Sequence, residues 1–294
     1  MTDNFTPEKT NPAPKMSLED WKAMKDQEKS DVFKLLDQTT LDLAEVPGCF
    51  LRYLDTQARM NRYTVSNALL ISAQMPEATK LRTFAEWEKE DAKIKKGSKS
   101  ISILEPSEFK KADGTSAIAY NVKKVFDISQ TSKAEEVKLY QQKDVTKLIA
   151  AMLDTCPASI DLATEIPVPG TAAYFDKSNN TLYVQKEGGT ADYVCQCVAR
   201  ELGFIEAFLR SPDADRSANH ADAVITGYLV CKRYGVPTES LDAERAASKY
   251  KGMNPKDVRK DLSELRSSAA KINDRIYGEL YKEKAPRSKG GTER

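Results

Sequence analysis

Tyr63-Thr-Val-Ser-Asn-Ala-Leu-Leu-Ile-Ser-Ala-Gln-Met-Pro-Glu-Ala-Thr79 is the stretch from which the rest of the chain is read. Ala68, Leu69, Ile71 and Ser72 sit in a continuous helix-compatible run, and Pro76 cannot continue it, so a helix is predicted over about 64–75. Asn67 and Gln74 are seven residues apart, two turns along one helix face, where their amides can bond bases or neighbouring backbone. On the N-terminal side, Phe50, Leu51, Leu54 and Ala58 mark a second helix, which Pro47-Gly48 separates from a first. That first helix starts at Ser17, a capping residue, with Glu19 and Asp20 at the favourable positive end of its dipole. On the C-terminal side, Phe84-Ala-Glu-Trp87 reads as a short helix. Ser100-Ile-Ser-Ile-Leu104 alternates with the period of a strand, Asp113-Gly114 signals a turn, and a second strand returns over Tyr120–Ile128.

Beyond residue 143 the texture becomes mainly helical. Val145, Leu148, Ile149, Met152 and Leu153 mark an amphipathic helix. Ala173–Asp176 and Thr181–Val184 read as a short hairpin across Asn179-Asn180. Helices are predicted from Thr190 to Leu209, from Asn219 to Tyr234 with Gly235 and Pro237 as the stop, and from Asn254-Pro255 onward. The expected organisation is a disordered tail over 1–16, a helical and antiparallel-sheet domain over 17–132, a linker over 133–143, a mainly helical domain with a short β-hairpin over 144–280, and a second tail over 281–294. The fold class is therefore α+β.

Lys plus Arg number 45 and Asp plus Glu 44, a net charge of +1. That balance excludes a globally basic nucleic-acid coat and an acidic DNA mimic, so any affinity for a polyanion must be local. It is local. Between Ala92 and Lys124 stand eight lysines (Lys93, Lys95, Lys96, Lys99, Lys110, Lys111, Lys123 and Lys124) and three acidic residues (Glu105, Glu108 and Asp113). No apolar run approaches the ~20 residues of a membrane span, and the polar, Pro-rich start lacks a signal-peptide core, so a cytoplasmic protein without membrane contact is expected. Five scattered cysteines read as buried small hydrophobes rather than disulfides. The single histidine, His220, excludes any site built on two imidazoles.

Three blocks in order carry a family resemblance: the 63–79 run, then Trp87 with Ile94-Lys-Lys-Gly-Ser-Lys-Ser-Ile-Ser-Ile-Leu-Glu-Pro106, then Val125-Phe-Asp-Ile-Ser-Gln-Thr131. Together they resemble the N-terminal domain of the ArdC/LtrC-like antirestriction proteins of conjugative elements. The resemblance implies single-stranded DNA binding in the front half, with double-stranded DNA as a second candidate partner. The residues whose chemistry suits that binding are Arg59, Arg62, Tyr63, Ser66, Asn67, Gln74, Trp87, Lys93, Lys95, Lys96, Gly97 and Lys99. Lysines neutralise phosphates, Gly97 lets backbone approach them, and guanidinium and ring faces stack unpaired bases.

The back half resembles the family's zincin-like metallopeptidase domain, whose helix carries an H-E-x-x-H motif. Here that helix reads Cys197-Val-Ala-Arg-Glu-Leu-Gly-Phe204, so Arg200 and Phe204 stand at the histidine positions and Glu201 at the glutamate. A second helix, His220-Ala-Asp-Ala-Val-Ile-Thr-Gly-Tyr-Leu-Val-Cys231, has His220 and Val224 at two acidic positions. The motif is degenerate, and no catalytic residue, metal or cofactor is expected. Cys195 and Cys197 point about 200° apart on a helix, a poor chelate. Glu201 and Arg200 are expected to pair with other groups as a structural polar cluster, without chemistry of their own. The resulting expectation is a non-catalytic, single-stranded DNA-binding accessory protein of a mobile element, with a protein partner possible at the back half. A metal-dependent peptidase with an unorthodox site around Glu201, His220 and Asp222, or a pure protein-interaction module, remain as alternatives.

Overall fold

The computed structural model describes residues 17–134, 144–213 and 215–282. Ser17 caps α1 (Leu18–Glu45), its hydroxyl accepting from the Asp20 N–H at 3.0 Å. The first turns of α1 are exposed, and burial sets in where Val32, Leu36, Thr40 and Leu43 recur at helical spacing. Beside it pack α2 (Cys49–Arg59) and α3 (Val65–Gln74). Gly48 precedes α2 at φ +78°, a conformation that suits glycine, and its N–H reaches Glu244 Oε1 at 2.7 Å.

A three-stranded antiparallel sheet follows, in the order β1-β3-β2. Its strands are β1 (Leu81–Arg82), β2 (Ile101–Lys110) and β3 (Ser116–Asp127), with α4 (Phe84–Lys89) between the first two. The pairing runs from Ile101 opposite Val125 to Lys110 opposite Ser116. Both long strands extend past the expected 100–104 and 120–128. The apolar pattern stops at Leu104, but a hairpin satisfies its own N–H and C=O groups, so the ladder continues through polar residues to the turn.

In this sheet β2 is an edge, and α3 lies along it. The Asn67 side-chain amide donates to Leu104 O at 2.9 Å and accepts from Leu104 N at 2.8 Å. Two turns on, Gln74 donates to Ser102 O and accepts from Ser102 N, both at 2.9 Å. The two amides thus pair with alternate residues of β2, much as a neighbouring strand would. Ile71 between them joins Met60, Ile101, Ile103 and Val125 in an apolar cluster.

The second half contains α5 (Val145–Asp154), β4 (Ser159–Ala163), β5 (Ala173–Asp176), β6 (Thr181–Gln185), α6 (Ala191–Arg210), α7 (His220–Arg233), the short α8 (Ala243–Ala246) and α9 (Pro255–Leu280). The expected hairpin is β5–β6. The structure adds β4, which runs parallel to β6 and makes a sheet ordered β4-β6-β5. β4 reads Ser-Ile-Asp-Leu-Ala and is largely exposed, so it carries no alternation to mark it. Helices α6 and α7 meet almost backbone to backbone. A Cβ on Gly203 would stand 2.8 Å from Ala223 O, and one on Gly227 2.9 Å from Arg200 N.

One apolar core joins both halves, with Phe50, Leu54 and Leu69 in the same cluster as Leu148, Ile205, Leu229 and Leu265. Of the expected linker, residues 135–143 lie outside the described residues, as do 1–16 and 283–294 of the tails. The fold is α+β. Among the described residues no helix is long and apolar enough to cross a membrane.

Replacing Asn67 or Gln74 by alanine strands an N–H and a C=O on β2. Each substitution is expected to cost ~1–3 kcal/mol, read as a lower denaturant midpoint at unchanged slope. Unchanged midpoints in both variants would show that the amides do not hold the sheet.

Candidate nucleic-acid interface

Where the chain passes from α2 into α3 it lies opposite β1, and the gap between them is an open groove. One part, about 420 Å³, is lined by Arg59, Arg62, Tyr63, Lys80, Arg82 and Glu86 among others. It adjoins a second of about 280 Å³, which shares Tyr63, Leu81, Arg82 and Glu86 and extends to Glu105, Pro106 and Lys123 on the sheet. The Tyr63 ring therefore stands at the junction, half-buried against Met60 and Ile71. Burial raises its phenol pKa above the ordinary tyrosine value, so it stays a neutral ring with a donor at neutral pH. Basic side chains outnumber acidic ones along the first stretch, Arg59, Arg62, Lys80 and Arg82 against Glu86, while along the second Arg82 and Lys123 balance Glu86 and Glu105. Lys123 pairs with Glu105 at 2.7 Å and Arg82 with Glu90 at 2.6 Å, whereas Arg62 is exposed and forms no ion pair among the described residues. Thr83 donates to the Glu86 carboxylate from both backbone and hydroxyl, at 2.8 Å each, and holds its pKa below the ordinary value.

Several residues expected to touch DNA are committed elsewhere. Trp87 has no exposed ring face: it is fully buried with Ala92 and Ile128, and its indole N–H donates to Phe126 O at 2.8 Å. Its stacking role is therefore corrected to packing. Lys80 Nζ and Arg82 Cζ lie 5.2 Å and 5.7 Å from its ring centre, so the buried indole supports two cations of the groove. Asn67 and Gln74 place their amides on β2, as described, and not toward a ligand. Arg59 donates to Ala78 O at 2.8 Å and also to Pro76 O, which ties α2 to the turn after α3. Ser66 is half-buried and lines neither part of the groove.

The lysine loop lies next to the groove and not in it. Lys93, Lys95, Lys96, Gly97 and Lys99 are all exposed, and none lines either cavity. Gly97 takes φ +85° at the tip. The loop is fastened to the turn after β3: Lys95 N donates to Gln130 O at 2.8 Å, the Gln130 amide donates to Lys99 O at 2.8 Å, and Ile94 bridges Thr131. Asp127 anchors the same turn, accepting from Thr79 N at 2.6 Å, Lys80 N at 2.8 Å and Ser129 N at 3.0 Å. The Asp and Gln of the 125–131 motif thus hold the loop and β1 side by side. Sequence reasoning missed Lys80 and Arg82. Their signal is the alternation Lys80-Leu-Arg82 directly after the helix stop, which places two cations on either side of an inward leucine.

In the second half Glu201 is fully buried on α6. Its Oε2 accepts from Phe175 N at 2.9 Å and from Arg216 Nη2 at 2.6 Å, and its Oε1 from Arg216 Nη2 at 2.8 Å and Arg200 Nε at 3.1 Å. Arg200 also donates to Thr171 Oγ1 at 2.9 Å. The Arg216 guanidinium lies 3.8 Å over the Phe204 ring and 4.6 Å from Tyr174. His220 opens α7 with its ring 6.2 Å from Phe204. Burial and the guanidiniums of Arg200 and Arg216 lower its pKa. Asp222, by contrast, pairs with Lys249, away from Glu201.

A family model described as the N-terminal domain of anti-restriction factor ArdC matches residues 43–147. Two crystal structures of the antirestriction ArdC protein from plasmid R388 share the fold. The metal-free form has a TM-score of 0.51 at 16% identity, covering 74% of this chain and 86% of that one. The Mn(II)-bound form has a TM-score of 0.56 at 14% identity, covering 83% and 97%. No curated protein matches the sequence. Residues 43–147 are ArdC-like in sequence, and the chain as a whole is ArdC-like in fold.

Residues 200, 201 and 204 do not fit a divalent ion. Arg200 brings a fixed positive charge, Phe204 has no donor atom, and both oxygens of Glu201 are taken by guanidinium and backbone N–H groups. Among the described residues no group of three or more His, Cys, Asp or Glu could hold a metal ion.

Two tests follow from this geometry. In Trp21→Phe, Trp87 is the sole tryptophan, and its emission should be blue-shifted, weakly quenched by acrylamide and unmoved by oligonucleotide. Strong quenching would place the ring at the surface. His220 titrates below its unfolded value of about 6.5, so the unfolded chain binds the proton more tightly and stability falls as pH drops through that value. The Tm loss between pH 7.5 and 5.5 should therefore be smaller in His220→Gln than in the parent, and an equal loss would remove His220 from the cause.

Proposed function

We propose that this chain is a non-catalytic, single-stranded DNA-binding protein of antirestriction type. The observation that carries the proposal is the Tyr63 ring at the junction of an open groove, flanked by Arg62, Lys80, Arg82 and Lys123. An unpaired strand offers a phosphate chain for the cations and base faces for the ring, whereas a duplex keeps its base faces stacked internally. Lys93, Lys95, Lys96 and Lys99 extend the positive field beside the groove and add phosphate contacts. The back half keeps the zincin-like shape as scaffold, or as a docking surface for a protein partner, without peptide chemistry. The R388 protein is named an antirestriction protein and has been crystallised with Mn(II). The first property transfers to this chain under the proposal and the second does not, because the donor set is absent.

The test is fluorescence anisotropy with a labelled unstructured oligonucleotide at several salt concentrations, with the same sequence as a duplex for competitor. Affinity should fall steeply with salt and favour the single strand. Arg62→Ala should reduce the salt slope by about 0.7. Tyr63→Leu, which keeps the apolar packing, should weaken binding roughly 5- to 100-fold. Glu201→Gln should bind as the parent does. Salt-independent affinity, or unchanged binding in both groove variants, would overturn the reading.

A further inference from the structure

We propose that the guanidinium of Arg216 is the resident cation of the second half, filling with a protein side chain the space among positions 200, 201 and 204 where an ion would otherwise be held. The inference rests on reading this half as chemically inert, and it is independent of DNA binding, so a failed oligonucleotide titration leaves it standing.

The geometry supports the substitution at each motif position. Residues 200, 201 and 204 share one stretch of α6, and Arg216 comes to them from the connection between α6 and α7. It bonds Glu201 through both carboxylate oxygens. It also lies over Phe204, its Cζ 3.8 Å from the ring centre, with Tyr174 at 4.6 Å. A phenyl ring at that position is more than a lost donor: an aromatic face attracts a planar guanidinium and covers one side of it. Arg200, bonded to the same carboxylate, repels a dication and not a backbone or side-chain acceptor.

Arg216 also does mechanical work. Its Nη1 donates to Phe175 O at 3.2 Å, while Phe175 N donates to Glu201 at 2.9 Å. One residue of β5 is thus clamped from both sides by an ion pair that spans α6 and the following connection. A fully buried carboxylate without such a partner would be costly. The cluster therefore holds the sheet, α6 and the approach to α7 together in the way a structural ion would, and it needs no ion from solution.

The test uses the full-length chain and three readouts. First, the parent should purify without stoichiometric metal, and its Tm should be the same in EDTA, MnCl2 and ZnCl2. Second, Arg216→Ala should lower Tm by roughly 10 °C, with Arg216→Lys in between because lysine keeps the charge but not the two-point contact. If Arg216→Ala does not fold, Arg216→Lys carries this readout. Third, Arg200→His/Phe204→His/Arg216→Ala should gain Tm with ZnCl2 where the parent does not. Stoichiometric metal in the parent, a rise of several degrees in its Tm with Mn(II) or Zn(II), or an unchanged Tm in both Arg216 single variants would overturn the proposal.

Discussion

The open edge of β2 is the constraint around which the front half is arranged. An edge strand presents unpaired N–H and C=O groups, and leaving them buried under a helix would be unfavourable. Asn67 and Gln74 resolve this by pairing side-chain amides with Leu104 and Ser102, seven residues of helix spanning two of strand. That pairing sets α3 parallel to the sheet edge and seats Ile71 over Ile101, Ile103 and Val125. Tyr63 and Arg62, just before α3, are thereby fixed opposite β1. The groove is a consequence of how this edge is covered.

The same economy recurs through the resemblance blocks. Asp127 and Gln130 bond the backbone of residues 79, 80 and 99, and Trp87 bonds Phe126. The amides Asn67, Gln74 and Gln130 and the Asp127 carboxylate thus hold segments in place, while the outward cations are Arg62, Lys80, Arg82 and the loop lysines, of which Lys95, Lys96 and Lys99 belong to a motif themselves. The inward part of the shared pattern records how the groove is built.

Much of the fold is legible from local chemistry. Ser17, Thr190 and Asn254-Pro255 start helices where their side chains satisfy the first N–H groups, and Gly235 at φ +72° ends one. β4 was not legible because its pairing with β6 is a tertiary event with little burial to imprint a pattern. The side to which Asn67 and Gln74 turn was open in the same way: their spacing places them on one face, but only the sheet decides what lies opposite. Arg216 left no trace at all. It sits in an irregular, polar connection between α6 and α7, and nothing in that run distinguishes the partner of a buried carboxylate from a solvated arginine. Arg200, Glu201 and Phe204 could be singled out on α6 from the sequence, but the arginine that meets them was visible only once the chain was folded.

The central claim is that unpaired DNA lies in the groove with a base against Tyr63. Photocrosslinking with a single-stranded oligonucleotide carrying 5-bromodeoxyuridine, followed by peptide mass spectrometry, addresses it most directly. The account predicts crosslinks at Tyr63 and its groove neighbours between residues 59 and 82, lost in Tyr63→Leu. Crosslinks confined to residues 144–282, or a pattern unchanged by removing the ring, would contradict it.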